Sequence, residues 1–127
     1  MNPEDLLYTE AHVWVLVEDD VATVGVTRFL AESLGEIVRI DMAEPGDQIP
    51  LEGHLGDLEG LHSDEEVISP LDGVILEINQ EVFADPALIA ADPYSEGWLA
   101  KLRVSDPSQL QDLLGAGEYN HLVRSME

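Results

Sequence analysis

Two early stretches are dominated by β-branched residues, His12 to Val17 (HVWVLV) and Val21 to Val26 (VATVGV), and the acidic segment between them completes a strand, turn, strand pattern. The pattern then changes period. In TRFLAESLG, Thr27 is placed to cap a first helical turn and Gly35 stands just past the last, which predicts a short helix after the first hairpin. Strands resume beyond it. Gly97 to Val104 (GWLAKLRV) alternates well enough for a late strand, with Trp98 as its bulkiest buried candidate. After that strand, Ser105 or Asp106 can cap, Pro107 suits a first turn, and Leu110, Leu113 and Leu114 mark an apolar stripe. C-terminal helices are expected over about 106–125, the second starting after Gly117.

One pattern occurs twice. GEIVRID (Gly35 to Asp41) and GVILEIN (Gly73 to Asn79) share Gly-x-Ile-aliphatic-x-Ile-Asp/Asn, 38 positions apart. Two copies are too few for a solenoid, whose faces need at least three repeats to bury one another. A two-fold sandwich, in which each copy gives a matching strand to one shared core, suits the chain better. The expected architecture is mainly β and a single domain spanning 1–127, since 127 residues leave no room for two independent cores. Between the copies, residues 54–70 read as a hairpin with His62 near its tip, bounded by the turn-forming segments EPGDQI and SPLDG.

Composition narrows the partners. The chain has 27 Asp and Glu against 5 Lys and Arg, a formal net charge of −22. Such a charge repels phosphate backbones and anionic lipid surfaces, so neither nucleic acid nor membrane is expected as a partner. Solubility explains the excess of acid more simply than steering toward a basic partner. The N-terminal MNPEDLLYTE lacks the basic start and apolar run of a signal peptide, and no apolar stretch approaches the ~20 residues of a membrane span, which points to a cytoplasmic protein. With no cysteine, the chain has no thiolate chemistry, disulfide or Cys-based zinc site.

The side chains that could carry chemistry are scattered. His12, His54, His62 and His121 are far apart in sequence, and an extended strand would set His54 and His62 about 26 Å apart, too far for a shared metal. His62 with Asp64, Glu65 or Glu66 is a weak cation candidate, although an acidic, solvated turn is the more frequent meaning of such a run. His12 and His54 read as satisfied strand histidines, and Trp14 and Trp98 as core or cleft-wall aromatics. There is no nucleophile elbow, and GAG at Gly115 to Gly117 lacks the Lys and Ser/Thr of a phosphate loop. Paired carboxylates in so acidic a chain say nothing about acid catalysis. No catalytic residue is named, and the chain is not expected to be an enzyme.

The order of YTEAHVW, VATVGVT, SLGEIVRID, EPGD, SPLDGVILEIN, DPYSEGWLAKLRVSDPSQL and LLGAGEY, from about Tyr8 to Tyr119, resembles the H-protein family of the glycine cleavage system. The resemblance implies a barrel-sandwich hybrid of the biotinyl- and lipoyl-carrier kind, with helices appended and a lipoate-bearing lysine at the tip of a hairpin between the halves. Where that hairpin resembles Glu-Ser-Val-Lys-Ala, this chain reads Glu59, Gly60, Leu61, His62, Ser63. His62 thus occupies the place of the lipoyl-lysine. Val13 occupies that of a glutamate which, in the family, helps hold the aminomethyl-loaded arm in a surface cleft. Glu66 stands for an aspartate and Gly60 for a serine. A lysine amine forms a durable amide with lipoic acid, whereas an acyl-imidazole is hydrolysable. The sole lysine, Lys101, falls in the middle of a strand and has no carrier role in the resemblance. The expectation is a relative without lipoate or other cofactor, acting as a binding or accessory module whose partners are glycine cleavage subunits or lipoylation enzymes. The alternative is a metal or group-carrier site at His62 itself. Nearby acids would stabilise its imidazolium but disfavour a phosphoryl adduct.

Overall fold

The computed structural model describes residues 3–126. The β-branched runs form the hairpin their pattern predicts: β1 (Leu7–Tyr8) pairs with β2 (Val13–Glu18), and β2 pairs antiparallel with β3 (Val21–Val26) around a turn in which Asp19 takes a φ of 58°. Helix α1 (Arg28–Leu34) follows directly, its first turn capped by the Thr27 hydroxyl, which accepts the Leu30 N–H. Leu30, Ala31 and Leu34 form its buried stripe, and Gly35, at φ 71°, ends it where a residue with a Cβ would be strained.

The chain continues through β4 (Ile37–Met42), β5 (Gln48–Ile49), β6 (His54–Gly60), β7 (Asp64–Ile68) and β8 (Gly73–Ile78). Two short helices, α2 (Gln80–Ala84) and α3 (Ala87–Ala91), precede β9 (Ala100–Val104). A 3₁₀ helix (Pro107–Asp112) and α4 (Ala116–Met126) complete the described chain. Among the described residues the strands form a six-stranded sheet in the order β1-β2-β3-β9-β8-β5 and a three-stranded sheet in the order β4-β6-β7, and no closed barrel. One apolar core lies between them: Val13, Val24, Ile75 and Leu102 of the larger sheet and Ile40, Leu58 and Val67 of the smaller belong to the same buried cluster. A second cluster gathers Leu6, Tyr8, Trp14, Ala116 and Tyr119, seating α4 on the N-terminal strands.

The two copies of the repeat occupy equivalent places. Copy one is β4, paired antiparallel with β6; copy two is β8, paired antiparallel with β9. Each pairing shifts register once, between Ile37 and Arg39 in β4 and between Ile75 and Glu77 in β8. The extra residue is Val38 in one and Leu76 in the other, and both are exposed. Beyond each shift comes a cross-strand pair of opposite charge, Arg39 opposite Glu59 and Glu77 opposite Lys101. The sequence likeness is therefore a likeness of strand, bulge and partner.

Several expectations need correction. The hairpin before α1 starts at Val13; His12 precedes it in a left-handed turn at φ 66°. Helices α2 and α3 went unpredicted. The first C-terminal helix is 3₁₀, and Leu114 lies outside any helical stripe, exchanging backbone hydrogen bonds of 2.8 Å with Tyr8. Trp98 lies before β9 and is only partly buried.

Candidate functional site

The hairpin between the two copies is β6 and β7, joined through Leu61, His62 and Ser63. Gly60 N–H donates to Ser63 O at 3.0 Å and closes the turn. The tip does not stand free. Leu61 N–H donates to Glu36 O and His62 N–H to Leu34 O, each at 2.9 Å, so consecutive amides of the tip bind carbonyls at the end of α1 and just before β4. The His62 side chain is exposed and lies against Gly35: a Cβ built on Gly35 would be 2.8 Å from its Cγ and Nδ1. Among the described residues its imidazole makes no hydrogen bond or ion pair. Leu61, 67% exposed, is the most exposed large apolar residue of the described chain.

The outer face of the small sheet is acidic. Asp41, Asp57, Glu59, Asp64 and Glu66 line a shallow concavity of about 450 Å³, with Arg39 as its one basic side chain. Arg39 Nε sits 3.2 Å from Asp41. His54, expected to be satisfied within a strand, begins β6 in the open, with Nε2 2.9 Å from Asp57 and Nδ1 3.4 Å from Glu66. His62 is not drawn into this group. No three His, Asp or Glu side chains among the described residues converge as a metal ion requires.

Behind the hairpin, a cleft of about 500 Å³ separates α1 from β7, with Phe29, Leu30 and Ser33 on one wall and Glu65, Glu66 and Ile68 on the other. His12 reaches this cleft and Val13 does not. The Val13 side chain is fully buried in the core, whereas His12 turns the other way, 4.8 Å from the Phe29 ring between centroids. His12 Nδ1 lies 2.7 Å from the Tyr119 hydroxyl, which lies 2.6 Å from the Thr27 hydroxyl. Burial lowers the His12 pKa and pushes the Tyr119 phenol up to about 12. The three groups form one hydrogen-bonded chain, Thr27 to Tyr119 to His12, whose direction follows the His12 tautomer: Tyr119 donates to Nδ1 when the ring proton is on Nε2 and accepts from it when the proton is on Nδ1. Tyr8 stacks on Tyr119 with centroids 4.7 Å apart, which ties β1 into the same knot.

Lys101 is half-buried on β9, with Nζ 5.1 Å from the Trp98 ring centroid and 4.0 Å from Glu77. Its ammonium is held along the sheet by an aromatic face and a carboxylate. The sequence singled out His62, Val13 and Lys101, and the structure places them apart: one on the tip, one in the core, one on the larger sheet. Tyr119, Leu34 and Phe29 went unnoticed, because nothing in a sequence joins His12 to a tyrosine 107 positions away.

Two facing sheets with quasi-equivalent halves, a hairpin at their junction and appended helices define a protein of the barrel-sandwich fold. The comparisons narrow that class. The family model for the glycine cleavage H-protein matches residues 6–126. A glycine cleavage system H protein of a Cyanothece strain is 39% identical over 121 residues, 95% of this chain and 94% of its own length. Its counterpart in Gloeobacter violaceus is 40% identical over 122 residues, 95% of each chain. The crystal structure of a glycine cleavage system H protein from Mycobacterium marinum superposes with a TM-score of 0.86 at 31% identity, covering 97% of this chain and 99% of that one. The chain belongs to the glycine cleavage H-protein family.

Proposed function

We propose that this chain is a glycine cleavage H-protein homologue that carries no lipoate and acts as a non-catalytic binding or accessory module, the whole of residues 1–127 forming one lipoyl-type domain. The family's group is lipoate, and the residues here do not fit it. The observation that carries this reading is the tip itself, where position 62 holds an imidazole instead of an amine. A nitrogen that acylates only to a labile product gives no lasting attachment. The single lysine does not compensate, because Lys101 lies half-buried against Trp98 within a strand rather than on a tight exposed turn. Val13 adds to the case by its residue type: the resembled motif has an acid at this position, and valine can neither accept a hydrogen bond nor balance an amine.

What such a protein keeps is the frame. Glycine cleavage subunits and lipoylation enzymes are the candidate partners, because they act on proteins of this shape, and the cytoplasm is the corresponding compartment. No helix among the described residues is long and apolar enough to cross a membrane. Intact-mass measurement on the protein purified from its native host tests the reading. The expected mass is that of the bare polypeptide; a lipoyl adduct at any residue overturns it. A use of His62 as a metal ligand has no observation in its favour, since its imidazole faces Gly35 and not a carboxylate.

A further inference from the structure

We propose that Gly60 seats the hairpin tip on the end of α1, so that the identity of residue 60 decides whether the Leu61 and His62 backbone amides are docked on the helix end or open to solvent, while the side chain at 62 stays exposed. It goes beyond the reading above, because the contacts are made by backbone whatever side chain position 62 holds.

The contact is between backbones. The last carbonyls of a helix have no partner within the helix and must find donors elsewhere. Here the tip supplies them: His62 N–H donates to Leu34 O at 2.9 Å, and the Ser63 hydroxyl lies 3.4 Å from Ser33 O. One step further along, Leu61 N–H takes Glu36 O. The hairpin thus caps α1 from across the chain, and amides that would face water at an ordinary loop tip are engaged.

This approach has one steric condition. A Cβ on Gly60 would overlap the Leu34 carbonyl oxygen and lie 2.8 Å from Leu34 C and Cβ. The first two of these atoms are backbone, fixed by the buried Leu34 side chain behind them, and cannot move aside as a flexible side chain would. Any residue but glycine at 60 must therefore lift the tip, and lifting it parts His62 from Leu34. Gly35 meets the tip from the other side, with its missing Cβ leaving room for the His62 ring. A lysine restored at 62 alone would leave these backbone contacts intact, because no side chain at 62 makes them.

Amide hydrogen exchange by NMR on the full chain tests the inference. In the wild-type protein and in His62→Lys, the Leu61 and His62 amides should exchange about 100-fold more slowly than in an unstructured peptide. In Gly60→Ser and Gly60→Ala, protection at those two amides should fall by about tenfold or more, while Val15, inside the large sheet, keeps its own. Unprotected Leu61 and His62 amides in the wild type would overturn the inference even if neither Gly60 variant folds. So would Gly60 variants whose tip remains as protected as before. A lipoyl adduct in native material would sink the proposed function and leave this pattern untouched; loss of the pattern would leave the missing amine as it is.

Discussion

At the N-terminal end of α1 the fastening is made by buried side chains; at its C-terminal end it is made by backbone. Thr27 caps the first turn and meets Tyr119, which meets His12, all three buried. At the other end, Leu34, Gly35 and Glu36 meet a tip whose side chains all face solvent. The first fastening depends on what the residues are, since removing one hydroxyl leaves a buried partner unsatisfied. The second depends on what Gly60 lacks. The frame is therefore tied together independently of the side chains that the tip exposes.

The largest test of that contrast is Tyr119→Ala. Tyr119 is fully buried, stacks on Tyr8 and joins α4 to His12 and Thr27. Truncating a buried aromatic of this size costs about 3–5 kcal/mol, a large share of the stability of a domain this small. Urea unfolding followed by tryptophan fluorescence should show the midpoint falling accordingly, with Trp14 of the same cluster as reporter. A loss below about 1 kcal/mol would mean that the side-chain knot does not hold the frame.

A smaller effect should appear with pH. Burial lowers the His12 pKa in the folded protein below its ordinary value, which the unfolded chain retains at about 6.5. Between those two values the unfolded chain binds more protons, so stability is full above about 6.5 and falls as the solution is acidified through that window. The cause is visible in the geometry. Protonation puts a charge on a ring that is buried against Phe29 and Tyr119, where Nδ1 can then only donate to the Tyr119 oxygen. His12→Asn is the matched control, because asparagine tolerates the left-handed backbone at φ 66° and does not titrate. The slope of unfolding free energy against pH between 5 and 7 should be flatter in His12→Asn; equal slopes would remove His12 from the account.

What the sequence revealed followed the range over which its signals act. The strand pairs, the Thr27 cap, the Gly35 stop and the repeat are local patterns, and the repeat carried further than expected, down to matched bulges at Val38 and Leu76. Helices α2 and α3, of five residues each, are too short for an apolar period to register, although Asn79 supplies a cap for the first. Trp98 looked buried because it is large; its ring lies beneath Lys101 at the edge of the core. The histidine at the tip was legible, but the docking of the tip was not. Its one trace was Gly60 inside a strand, a usual mark of close backbone approach. Only the fold says which backbone comes near.

The smallest effect belongs to the residue that drew the most notice. His62→Ala removes an exposed ring that has no hydrogen bond or ion pair among the described residues and only Gly35 beneath it. Its backbone N–H, the group that binds Leu34 O, remains. Stability should change by no more than about 0.5 kcal/mol, the range of surface substitutions away from caps and cores. If His62→Ala instead lowers the urea midpoint as Tyr119→Ala does, the imidazole is a structural element in its own right. The contrast between a side-chain knot at one end of α1 and a backbone clasp at the other would then fail.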